Sequence, residues 1–209
     1  MVKILLTISL LLPALTSAQD DALLKRIWDG TQVAQGKYTS ACGSVKETRT
    51  SALLARPLIF QGKFCLQGMS RFSLEYVGTD PIRLRFNQDI LNVTTGPSGS
   101  STTEVLEVGS QVRRTQAYFS QADSLEKLKR NFTITVREEG KAYDMKFVPR
   151  SARFASRVNY VAVKLLKESF LPSSIEIDGK SGVHSVFDIT IGELNQKIDD
   201  QMFSVYKPK

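Results

Sequence analysis

Acid-base or covalent chemistry through an imidazole has one candidate in this chain, His184, in Gly182-Val183-His184-Ser185-Val186. A Ser-His-Asp or Cys-His arrangement would have to run through it, yet its alternating surroundings mark it as a solvated strand residue. The two cysteines, Cys42 and Cys65, form no Cys-x-x-Cys pair. The nitrogen and sulfur ligand sets that hold zinc therefore cannot be assembled, and no metal is expected. No G-x-S-x-G elbow and no glycine-rich phosphate loop occurs. Glu138-Glu139 and Asp199-Asp200 are adjacent in sequence, which on strands or turns leaves carboxylates in solvent rather than across one reacting bond. These residue types predict no catalytic group and no cofactor. The expectation is a non-enzyme.

The rest of the composition is ordinary: 42% apolar residues, with 28 Lys+Arg against 21 Asp+Glu over 209 positions. A chain of that length buries a sizeable core without disulfide or metal staples. Residues 1–18 read differently. Lys3 precedes an apolar run from Ile4 to Leu12, then Pro13 and the small residues Thr16-Ser17-Ala18. That is the order of a secretory signal peptide, and the run is far below the ~20 residues that cross a bilayer. Cleavage near Ala18 is expected, leaving one domain over residues 19–209. Lys3 is the only charge removed, so the formal net charge of +7 falls by one.

An exported chain meets an oxidising compartment, where Cys42 and Cys65 either pair or remain two thiols. If they face each other across a hairpin, its turn centres between Leu53 and Leu54, beside Ala55-Arg56-Pro57. The basic residues are spread along the chain without an aromatic-rich basic signature, which argues against nucleic acid. Anionic head groups or acidic partners suit such charge better.

The elements available to position anything are mostly strands. Leu23, Leu24, Ile27 and Trp28 recur at helical spacing after the acidic Asp20-Asp21, with Gly36 as the stop. Beyond it the period becomes two. Phe60, Phe64 and Leu66 share one face of a strand. Phe72, Leu74 and Tyr76 alternate with Arg71, Ser73 and Glu75, and Ile82, Leu84 and Phe86 alternate with Arg83, Arg85 and Asn87. The same pattern returns in Tyr143-Met145-Phe147, Val161-Val163-Leu165 and Phe187-Ile189-Ile191. Short turns between strands with one apolar face describe an antiparallel meander. Residues 110–129 are a second helix candidate, and residues 96–103 read as a flexible loop.

Exposing a Phe or Leu side chain instead of burying it forgoes about 1.5–3 kcal/mol. Six left open would forgo roughly 10 kcal/mol, comparable to the stability of a whole domain. The apolar face must be covered by the curling sheet, by helices or by a ligand. The expected fold is mainly β with helices (α+β), nine or ten strands in a strongly curved antiparallel sheet under a helical lid.

After the first helix come Gly43-Ser44-Val45-Lys46-Glu47-Thr48-Arg49 and Arg56-Pro57-Leu58-Ile59-Phe60-Gln61-Gly62-Lys63-Phe64. Arg71-Phe72-Ser73-Leu74-Glu75-Tyr76 and Asp89-Ile90-Leu91-Asn92-Val93 follow. Met145-Lys146-Phe147-Val148-Pro149-Arg150, Leu171-Pro172-Ser173-Ser174-Ile175-Glu176-Ile177 and the stretch from Asn195 to Val205 close the chain. In order and spacing these segments resemble the periplasmic outer-membrane lipoprotein carrier family (LolA-like), most of all a divergent branch with a longer first hairpin.

The resemblance implies an unclosed β-barrel with a helical lid and a periplasmic monomer without a cofactor. It implies a cargo of lipoprotein acyl chains or another lipid, received from an inner-membrane releasing complex and passed to an outer-membrane acceptor. The family's Arg-Pro pair is replaced by Gly68-Met69 and its Trp by Leu74, while Phe72 matches; Arg71 stands nearest to the missing latch. The expected cavity wall is Phe60, Phe64, Leu66, Phe72, Leu74, Tyr76, Leu84, Phe86 and Phe147. A lipid-sensing regulatory module of related fold is the alternative.

Overall fold

The computed structural model of the protein describes residues 12–109 and 124–206. Helix α1 spans Leu12–Lys37 and helix α2 spans Ser124–Asn131. The strands are β1 (Ser40–Ser51), β2 (Leu58–Gln67), β3 (Arg71–Val77), β4 (Ile82–Asn87), β5 (Ile90–Thr95) and β6 (Thr102–Glu107) before α2. After it come β7 (Phe132–Glu139), β8 (Ala142–Pro149), β9 (Val158–Leu166), β10 (Pro172–Gly179) and β11 (Val183–Leu194). All join one sheet in the order β6-β5-β4-β3-β2-β1-β11-β10-β9-β8-β7. Every neighbouring pair is antiparallel. Strands β6 and β7 form the two edges, so the barrel stays open. This is the α+β architecture that the sequence leads one to expect.

The register follows the period-two pattern because a slip of one residue would turn every apolar side chain outward. Cys42 faces Cys65 and Glu47 faces Phe60 across β1 and β2, which centres the hairpin where the cysteines placed it. Two expectations need correction. The sheet has eleven strands, because Thr102 and Thr103, read as loop, begin β6 and pair with Thr95 and Thr94. Their branched side chains suit a strand, but an edge strand wet on both faces shows no alternation to find. The first helix starts before Gln19, since nothing in Leu12 to Ala18 breaks a helix once Pro13 sits in its first turn. Of the second helix candidate, residues 110–123 lie outside the described residues, and the rest is α2.

Two apolar clusters lie on one face of the sheet. The first gathers Leu24 and Ile27 of α1 against Val136, Tyr143, Met145 and Leu165. Ile27 is 0% exposed. Gly30 leaves room for the Phe170 ring, which a Cβ here would approach to 2.3 Å. The opposite face is closed differently. Cys42 and Cys65 are joined as a disulfide, and Ile198 and Phe203 of the C-terminal tail pack over it. Polar ties hold the tail there: Arg71 Nη1 to Asp200 Oδ1 at 2.6 Å, Asn87 to the Phe203 carbonyl and Ser40 Oγ to the Gln196 carbonyl.

Candidate functional site

The second cluster lies on the same face as α1 but beyond its reach. Val45 of β1, Phe64 of β2 and Tyr76 of β3 are buried at its centre. Around them Phe60, Leu66, Phe72, Leu74, Ile82, Leu84, Phe187, Ile189 and Ile191 are only half-buried. Among the described residues no helical side chain packs into this group. Cross-strand pairing brings it together: Phe64 faces Leu74 and Leu66 faces Phe72 across β2 and β3, and Phe72 faces Phe86 and Leu74 faces Leu84 across β3 and β4. Gly62 faces Tyr76, and a Cβ there would come within 3.0 Å of the tyrosine ring. Its hydrogen lets that ring lie across β2.

Seven of the nine expected wall residues (Phe60, Phe64, Leu66, Phe72, Leu74, Tyr76 and Leu84) meet in this cluster. Phe86 sits at its margin, paired with Phe72 and Leu91. Phe147 is placed elsewhere, with the α1 cluster, its ring edge-on to Phe132 at 6.2 Å. Arg71 points to the other face and holds the C-terminal tail through Asp200, so it takes no part in this surface.

One charged group sits among these apolar side chains. Glu47 is 1% exposed. Its Oε2 accepts from Tyr76 Oη at 2.7 Å, and its Oε1 accepts from Ser185 Oγ at 3.1 Å and from Arg49 Nε at 2.9 Å. The Arg49 guanidinium lies 5.0 Å over the Phe60 ring, and its side chain remains 41% exposed toward the end of the barrel. A buried carboxylate is tolerable only when paired and hydrogen-bonded in this way. Burial, reinforced by the bond to Glu47, holds the Tyr76 proton far above the ordinary phenol range. The tyrosine is therefore a fixed donor that locks β1, β3 and β11 together rather than an acid or base. Glu47, Arg49 and Ser185 escaped the sequence reading. The available signal was phase: Glu47 stands where the alternation from Val45 calls for an apolar residue.

His184 is likewise more than a solvated strand histidine. Its Nε2 lies 2.9 Å from Glu176 Oε1, which also accepts from Tyr160 Oη at 2.5 Å. The Tyr160 bond, then His184, pulls the Glu176 carboxyl below its usual range. In return Glu176, then burial, pushes the Tyr160 hydroxyl up to about 12. Tyr160 and Glu176 border a cavity of about 670 Å³ on the tail side of the sheet, lined also by Lys146 and Lys164. The carboxylate pairs are structural too: Asp199 accepts from the Gln201 amide, and Glu138 binds Arg26 and Lys167. Among the described residues no group of ligating side chains could hold a metal ion, and no helix is long and apolar enough to cross a membrane.

An open antiparallel half-barrel, helix-covered over part of one face, defines a LolA-like fold. No protein-family model and no curated protein sequence matches the chain. Among solved structures it is similar to the lipoprotein LppX of Mycobacterium tuberculosis, with 16% identity over 86% of this chain and 98% of that one, at a TM-score of 0.51. A LolA superfamily protein from Nitrosomonas europaea matches with 10% identity over 87% of this chain and 97% of that one, at a TM-score of 0.41. MucB of Pseudomonas aeruginosa, solved in complex with MucA, matches with 11% identity over 86% of this chain and 61% of that one, at a TM-score of 0.47. At these identities the LppX likeness shows a shared fold, and nothing of activity follows from it.

Proposed function

We propose that the protein is an exported, non-enzymatic carrier that holds acyl chains of a lipoprotein or another lipid against its open apolar face. One observation carries this reading: nine apolar side chains around Val45, Phe64 and Tyr76 are half-buried, although the opposite side of the same strands is sealed by the C-terminal tail. Each methylene that settles on such a face gains about 0.8 kcal/mol, enough for a lipid to be held and for a partner of higher affinity to take it. Residues 1–18 direct export to the periplasm and are removed near Ala18, leaving residues 19–209 as one monomeric domain. There the Cys42–Cys65 bridge forms. Membrane partners that load and unload the cargo belong to this reading.

Native mass spectrometry of the mature protein from a membrane-containing host, followed by lipid extraction, tests it. Bound lipid and uptake of a fluorescent acyl probe are expected. Phe72→Glu should lower uptake at least tenfold while leaving the circular dichroism unchanged. A protein free of lipid that takes up no probe overturns the carrier reading, and unaltered uptake by Phe72→Glu removes Phe72 from the binding face.

A further inference from the structure

The strand directions put the β1–β2, β3–β4, β5–β6, β8–β9 and β10–β11 connections at one end of the barrel. Backbone bonds tie several of them together: Gly96 to the Pro81 carbonyl, Lys180 to the Arg157 carbonyl and Arg150 to the Asn131 carbonyl. This end exposes apolar side chains. Leu53, at the tip of the β1–β2 hairpin, is 93% exposed, and Ile59 near the start of β2 and Val77 at the end of β3 are 59% and 64% exposed. Burial of a core explains none of them.

The loop charge at this end is mainly positive. Its loops carry Arg56, Arg150, Arg157 and Lys180, all exposed, against Asp80 as their one acidic residue. The loops at the other end, by contrast, balance Lys141 and Lys167 with Asp89 and Glu168. Exposed leucine, isoleucine and valine ringed by cations on one rim match an anionic lipid surface, where apolar tips enter the acyl boundary and Lys and Arg meet the head groups. An acidic protein would engage the cations but leave Leu53 without a reason to be bare.

We infer that this rim docks the protein on anionic membrane surfaces, which goes beyond the carrier reading. Arg49 and Phe60, at the margin of the half-buried apolar cluster, lie toward the same end, so docking at this rim brings that cluster close to the bilayer.

Co-flotation of the mature protein with phosphatidylglycerol-phosphatidylcholine vesicles, and with pure phosphatidylcholine vesicles, tests the inference. Binding to the mixed vesicles, weakened by added salt, is expected. The double variant Leu53→Asp, Arg56→Glu should bind at least tenfold more weakly with an unchanged melting temperature, whereas Lys141→Glu at the opposite end should bind as the parent does. No binding, equal binding to both vesicle types, or equal weakening by Lys141→Glu overturns it. Acyl-probe uptake measured without vesicles keeps the two readings apart. Loss of uptake with intact flotation removes only the carrier function, and the reverse removes only the docking rim.

Discussion

Two halves of one sheet face carry the same alternating pattern and end in different states. Over β7, β8 and β9, α1 lays Leu24 and Ile27 onto Val136, Tyr143, Met145 and Leu165, and all six are buried. Over β1 to β4 and β11, comparable leucines, isoleucines and phenylalanines stay half-buried around Val45, Phe64 and Tyr76. Alternation decides which residues share a face, whereas cover decides which of them lose contact with water. The first half behaves as a core. The second keeps its apolar side chains half-exposed and is braced from within by Glu47, with no helical side chain packed into it among the described residues.

Matched truncations test that contrast most strongly. Leu165→Ala, beneath α1, should cost about 2–5 kcal/mol in urea unfolding. Leu84→Ala, on the half-buried side, should cost at most about 1 kcal/mol, because the leucine is already partly hydrated. Equal losses would abolish the distinction between the halves. Glu47→Ala should cost about 1–3 kcal/mol, since it leaves Tyr76 Oη, Ser185 Oγ and the Arg49 guanidinium without their acceptor. It should also weaken acyl-probe uptake, which Leu165→Ala leaves intact in the folded fraction. The smallest effect concerns the tail side of β10. The folded pKa of Glu176 is depressed, so its contribution is complete above the ordinary Glu value of about 4.3 and disappears as pH falls through the folded value. With the side chain 35% exposed, screening reduces that contribution to a few tenths of a kcal/mol. Urea midpoints measured down to about pH 3 should fall less steeply for Glu176→Gln than for the parent.

Much of the sheet was legible because water enforces the period of two wherever one face is covered. Phe72, Leu74 and Tyr76 announce their strand unaided. Strand β6 did not, since an edge segment exposed on both faces has no phase to detect. Phe147 shows the limit of reading alternation: it shares the apolar face with the other expected wall residues but lies in the half that α1 covers, a distinction made by where α1 crosses. Arg71 was nearest in sequence to the expected latch, yet the pleat sends it to the opposite face, where Asp200 receives it.

The sequence by itself determined the antiparallel meander, the side of each strand that carries apolar groups and the scarcity of groups that could do chemistry, and it placed the hairpin turn that a Cys42-to-Cys65 pairing would require. These are local or pairwise properties, set by the backbone period and by residue type. Only the tertiary structure decided that α1 covers β7 to β9 and stops there, that the tail seals the back of β1 to β4, and that Glu47 finds Tyr76, Arg49 and Ser185 in one place. Those outcomes depend on residues up to 156 positions apart competing for the same surface, which no window along the chain contains.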